Sequence, residues 1–143
     1  MPQSKPQYDL EILKKYRDDF LYYAPRCLQI VDDGGKIVAF EPTFAQRFVH
    51  ERIEKQRAET GMVRAIVLKG RQMGVSTYCE ARALHKTQYH SNYSVAIIAN
   101  NTQTSQHVYG MMRDMYANIP EWMPKPDNAR NNYQQMLFDN RSG

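Results

Sequence analysis

The stretch Val63-Arg-Ala-Ile-Val-Leu-Lys69-Gly-Arg-Gln-Met-Gly-Val-Ser76-Thr77 decides how the rest of this sequence reads. Its first six residues form a short apolar run, β-branched and without alternation, the pattern of a strand buried on both faces. The loop KGRQMGVST follows, and a helix is predicted from there to about Tyr89. A second run of the buried type, SVAIIA at 94–99, comes next. Strand, loop, helix and strand fill about 37 residues, close to the length of a right-handed βαβ unit.

A glycine-containing loop between a buried strand and a helix is the setting in which backbone amides cradle phosphate. Gly74 falls where the second glycine of G-x-x-x-x-G-K-[ST] belongs, and Ser76 falls on the hydroxyl position that ligates Mg²⁺. Two positions depart from that pattern. Val75 stands where lysine is usual, and Lys69 stands where the first glycine is usual. Lys69 or Arg71, at the start of the loop, can supply the missing cation to the β- and γ-phosphates. The plainer alternative is a basic βα loop with two glycines and solvated side chains.

Charge points to the same place. Residues 1–60 and 101–143 are each balanced, whereas 61–100 hold Arg64, Lys69, Arg71, Arg82 and Lys86 against Glu80 alone. The whole net charge of +4 therefore lies in one segment, which indicates a local anion site more than a nucleic-acid tail. With 42% hydrophobic and 24% charged residues, the 143-residue chain has the composition of a soluble globular domain. It has no apolar run of membrane-spanning length and no signal-peptide h-region. Cys27 and Cys79 lack metal-ligand spacing, and the four histidines lack ligand partners, so zinc and disulfides are not expected.

Working outward, residues 1–8 read as a flexible arm. Leu10, Leu13, Tyr16, Phe20 and Tyr23 mark one helix over 9–24, ended by Pro25. LQIV and KIVAF flank Asp32-Asp-Gly-Gly35 as a β-hairpin. A second helix follows Pro42, with Phe44, Phe48, Val49 and Ile53 as its apolar side. Beyond Asn101 another helix begins, capped by Thr102 or Thr104, with Val108, Met111, Met112, Met115 and Tyr116 on its core face. QMLFD near the end reads as part of a two-stranded excursion after that helix. The expected fold is thus α/β: the first βαβα of a mostly parallel P-loop NTPase-type sheet at 61–143, preceded by a helix, a hairpin and a second helix at 9–60.

At the loop the sequence also resembles a family. KGRQMGVST is similar to the deviant Walker A loop of the large terminase subunits of tailed bacteriophages, the ATP-driven motors that package DNA. An Arg-Gln pair before the loop glycine is characteristic there, and some members carry the phosphate-contacting lysine at the loop's start; Arg71-Gln72 and Lys69 match these features. Upstream, Phe40-Glu-Pro42 and Ala45-Gln46-Arg47 resemble the segment that carries an adenine-recognising glutamine, which implies that role for Gln46. Downstream, VAIIANNTQTSQ (95–106) resembles the second core strand and its helix, so the similarity covers most of 28–143.

The resemblance implies ATP and Mg²⁺ as cofactors. Amides of Gly70, Arg71, Gln72, Met73, Gly74, Val75 and Ser76 would cradle phosphate, with Ser76, and Thr77 beside it, at the metal. It implies double-stranded viral DNA, a small terminase subunit and a portal protein as partners, a homo-oligomeric ring during packaging, no membrane, and the host cytoplasm as location. The acidic strand that orders Mg²⁺ and activates water, and a nuclease domain, would lie beyond residue 143, so this chain is expected to be truncated and without efficient hydrolysis. Another P-loop translocase or helicase-like ATPase, or a catalytically silent nucleotide-binding remnant, are the alternatives.

Overall fold

The computed structural model describes residues 9–131 and 135–143, with the backbone alone at 128–131. It is an α/β structure in which five helices and two antiparallel strand pairs are found among the described residues. The arm expected at 1–8 lies outside them. Helix α1 (Leu10–Asp18) starts on Asp9, whose carboxylate accepts from Glu11 N at 2.9 Å. The single helix expected over 9–24 is broken at Asp19, which closes α1 and caps α2 (Phe20–Cys27) by accepting from Tyr22 N. A side-chain acceptor at that position satisfies an amide the helix cannot, so the chain restarts there. Pro25 sits inside α2 and does not end it, because burial of Ala24, Cys27 and Leu28 holds the last turn in place.

The hairpin forms as expected, with β1 (Gln29–Val31) antiparallel to β2 (Ile37–Ala39) and Ile30 opposite Val38. Asp32 organises its turn by accepting from Gly34 N and Lys36 N, and Gly35 takes a φ of 77°. Helix α3 (Phe44–Thr60) follows, closed by Gly61 in the left-handed conformation. Its buried side differs from the expected one. Phe44 is 87% exposed and Phe48 half exposed, while Gln46 and His50 are buried and Val49 and Ile53 pack against the core. The polar pair can be buried because both side chains find partners on the next helix, α4 (Val75–Tyr89).

Helix α5 (Thr102–Ala117) is capped by Asn101, which accepts from Thr104 N, rather than by either threonine. It buries Tyr109, Met112 and Met115, while Val108, Met111 and Tyr116 are half-buried. The excursion near the end is the pair β3 (Asn128–Asn131) and β4 (Met136–Phe138).

The segments 63–68 and 94–99 belong to no ladder among the described residues, and Ile66 and Leu68 are fully exposed. Two hydrogen bonds nevertheless engage the second of them: Gly143 N donates to Tyr93 O at 3.0 Å, and Val95 N to Gly143 O at 2.9 Å. Bonds that straddle Ser94 in this way have the pattern of a single parallel bridge. Gly143 reaches this position because it lacks a side chain, since a Cβ there would lie 2.1 Å from Met136 O.

The core is built of aromatic rings around two histidines. His50 stacks on Phe20, and His85 lies between Phe20, Tyr23 and Tyr89 with its Nε2 donating to Tyr16 O at 2.8 Å. Both lie on helix faces turned into the core and are buried. Desolvation pushes each imidazole down to about 4. A lowered folded-state value means stability that is complete above pH 6.5 and is lost as the pH falls toward 4. His85→Phe removes one of the two sites. Its urea-melt stability should therefore fall less than wild type over that window, by about 3 kcal/mol. Parallel pH curves for the two proteins would contradict this reading.

Candidate phosphate-binding loop

Helices α3 and α4 run side by side in the same direction, joined by a ladder of polar contacts. Gln46 Nε2 donates to Gly74 O at 2.7 Å, His50 Nδ1 lies 3.1 Å from the Tyr78 hydroxyl, and Glu54 accepts from Arg82. Each rung is four residues beyond the last on both helices, one turn per rung. The first rung sits on the loop. Gln46 also closes a capping box at the start of α3, its Oε1 accepting from Thr43 N at 2.8 Å. One carboxamide therefore joins the start of α3 to the start of α4.

From Gly70 the chain turns through Arg71, Gln72 and Met73, with Gln72 at a φ of 58°. Gly74, at 66°, is the N-cap of α4 and offers no side-chain cap. Glycine is required there twice over: its backbone is left-handed, and a Cβ would lie 2.6 Å from Gln46 Nε2. The consequence is a helix start whose first amides, on Val75, Ser76 and Thr77, have no hydrogen-bond acceptor among the described residues. Such amides, at the positive end of the helix dipole, form an anion-binding surface.

The expected site residues divide around this surface. Lys69 and Arg71 are exposed at its edge; the Lys69 ammonium reaches only Gly70 O at 3.3 Å, and Arg71 is unbonded among the described residues. The Ser76 side chain is exposed in the first turn of α4, whereas the Thr77 hydroxyl points at Met111 Sδ of α5. Ser76 is thus the hydroxyl available to a metal. Val75 is buried, so the position usually given to lysine serves the core. Gly70 and Gln72 shape the turn, and Met73 lies partly open above it. Gln46 is 3% exposed and bonded at both ends, so the structure places it as the loop's anchor. Thr43 shares that task. The pattern Thr43-Phe-Ala-Gln46, a threonine three residues before glutamine, is its sequence signal.

Glu80, one turn below Ser76, is 4% exposed, and its Oε2 has no hydrogen-bond partner among the described residues. Burial pushes its carboxyl up to about 7. Among the described residues no group of three or more His, Cys, Asp or Glu gathers into a metal-binding cluster. Cys27 is buried and Cys79 exposed, both as free thiols. No helix among the described residues is long and apolar enough to cross a membrane. No family model matches this chain, and no curated protein matches it in sequence.

Gly74→Ala imposes left-handed strain and displaces the Gln46 amide, a loss of about 2–3 kcal/mol. In a Gln46→Ala background the same change should cost only the strain, about 1–2 kcal/mol. Strict additivity of the two substitutions in urea melts would contradict the contact. Glu80 has a raised folded-state value, so the stability it contributes is complete below about pH 4.5 and lost as pH rises to about 7. Glu80→Gln should therefore stabilise the chain at pH 8 by about 3 kcal/mol and change little at pH 5. Equal effects at both pH values would count against it.

Proposed function

We propose that this chain is the ATP-binding part of a DNA-packaging motor of the large terminase type. The observation that carries the reading is the uncapped start of α4 behind Gly74, flanked by Lys69 and Arg71 and held by Gln46. In this reading the amides of 74–77 receive the phosphate oxygens, and the two loop cations neutralise the charge that develops at the β- and γ-phosphates. Ser76 offers its hydroxyl to Mg²⁺, which when bound draws charge from those same oxygens. For Gln46 to read adenine, it must exchange its Thr43 or Gly74 contact for the base, or use the second hydrogen or lone pair that each amide atom retains.

The mostly parallel sheet belongs to the same proposal. Segments 63–68 and 94–99 would be its strands, and the Gly143 bonds that straddle Ser94 support a parallel neighbour at that edge. The fully exposed Ile66 and Leu68 suit strands that are covered on both faces in a larger assembly. The Asp and Glu of the acidic strand would come from outside residues 1–143, as would a nuclease domain. DNA, the small subunit, the portal and a ring of copies are the partners this reading assigns, acting in the host cytoplasm.

The test is the melting temperature of the chain with and without Mg-ATP. A ligand at about 100 times its dissociation constant stabilises by about 2.7 kcal/mol, which a melting curve resolves. Wild type should gain that stability, and the Lys69→Ala, Arg71→Ala double variant should lose most of the gain. A wild-type chain indifferent to Mg-ATP would overturn the proposal.

A further inference from the structure

The sequence concentrates positive charge in 61–100, but the structure divides it between two places. Lys69 and Arg71 stand at the loop. Arg82 and Lys86 lie farther along α4, where they line a separate cleft of about 330 Å³ between α4, the outer part of α3 and the α1–α2 junction. None of residues 69–77 lines it. Lys86 lies eleven residues beyond Val75, about 16 Å along the helix.

The charges in this cleft do not cancel. Glu54 is shared between Arg57 and Arg82, and Asp18 is paired with Arg17. Asp19, the remaining carboxylate, caps α2 through Tyr22 N. No hydrogen bond or ion pair reaches the Lys86 ammonium among the described residues, although the side chain is half-buried. Burial, reinforced by Arg57 and Arg82 and only partly offset by Glu54 and Asp18, lowers its affinity for a proton. Glu54 is one carboxylate for two guanidiniums, so a half-buried ammonium beside them leaves a surplus of positive charge that a further anion would offset. Both guanidiniums can receive one, since Arg57 and Arg82 each carry more N–H groups than their bonds to Glu54 and His50 use.

We propose that this cleft is a second anion site, which takes a phosphate-class oxyanion on Lys86 with Arg57 and Arg82 as flanking donors. The chemistry is that of a tetrahedral, multiply charged group: a compact ammonium on one side and planar guanidiniums beside it. Free phosphate and a nucleic-acid backbone phosphate both present it. The proposal does not depend on the nucleotide loop, since it uses none of that loop's residues.

The experiment is calorimetric titration of inorganic phosphate into the Lys69→Ala, Arg71→Ala chain, which removes both loop cations. Lys86→Gln in that background should weaken binding at least about tenfold, and Lys86→Arg should restore most of it. Unchanged affinity in Lys86→Gln, or no binding before the substitution, would overturn the proposal. A second arm identifies the source of the phosphate once the first has succeeded. If it belongs to a nucleic-acid backbone, the salt dependence of binding a short mixed-sequence duplex loses about one unit of slope in Lys86→Gln. An unchanged slope assigns the site to free phosphate.

Discussion

The carboxamide of Gln46 accepts from Thr43 N and donates to Gly74 O, and through these two bonds the position of the loop before α4 depends on the position of α3. The lower rungs of the ladder then hold α3 in place. His50 meets Tyr78 within the aromatic core, and Glu54 binds Arg82 at the edge of the cleft. The ladder explains why α3 hides polar side chains and displays Phe44 and Phe48. A buried amide with both ends bonded costs little, and leaving the Gly74 carbonyl unmatched beside it would cost more. It also makes any side chain at the loop glycine costly, since the amide occupies the space of its missing Cβ.

The same ladder separates two kinds of polarity along one helix. At its start α4 keeps amides without acceptors among the described residues and a hydroxyl in the open, an arrangement that suits an anion and adds little to stability by itself. Along its length it buries His85 and Glu80 in forms that prefer to be neutral. Between about pH 4.5 and 6.5 their effects on stability oppose each other, since rising pH restores what the buried histidine contributes and removes what Glu80 contributes. The Lys86 cleft lies on the far part of the same helix, where positive charge is half-hidden and only partly compensated by Glu54 and Asp18.

Much of this was legible in the residues, for identifiable reasons. Asp32-Asp-Gly-Gly35 announces its turn because the Asp side chain bonds its own backbone, and Gly74 sits where a helix start must be left-handed. The helix positions followed from apolar spacing. What apolar spacing could not supply was the polar stripe Gln46, His50, Glu54, which recurs at helical intervals but resembles a solvated face until its partners on α4 are known. The break at Asp19 was hidden for a related reason: apolar spacing continues through it, and only the side-chain cap marks the restart. The separation of the basic segment into two places was likewise invisible, since the sequence proximity of Lys69 and Lys86 does not show that only Lys86 lines the cleft.

The most direct measurement is a ¹⁵N-resolved NMR titration of the chain with Mg-ATP, followed amide by amide. The largest shifts are expected on Gly70 through Thr77, and the Gln46 side-chain amide should move with them because it is bonded to Gly74. Shifts absent from 70–77, or confined to residues around Lys86, would contradict the assignment of this loop as the nucleotide site.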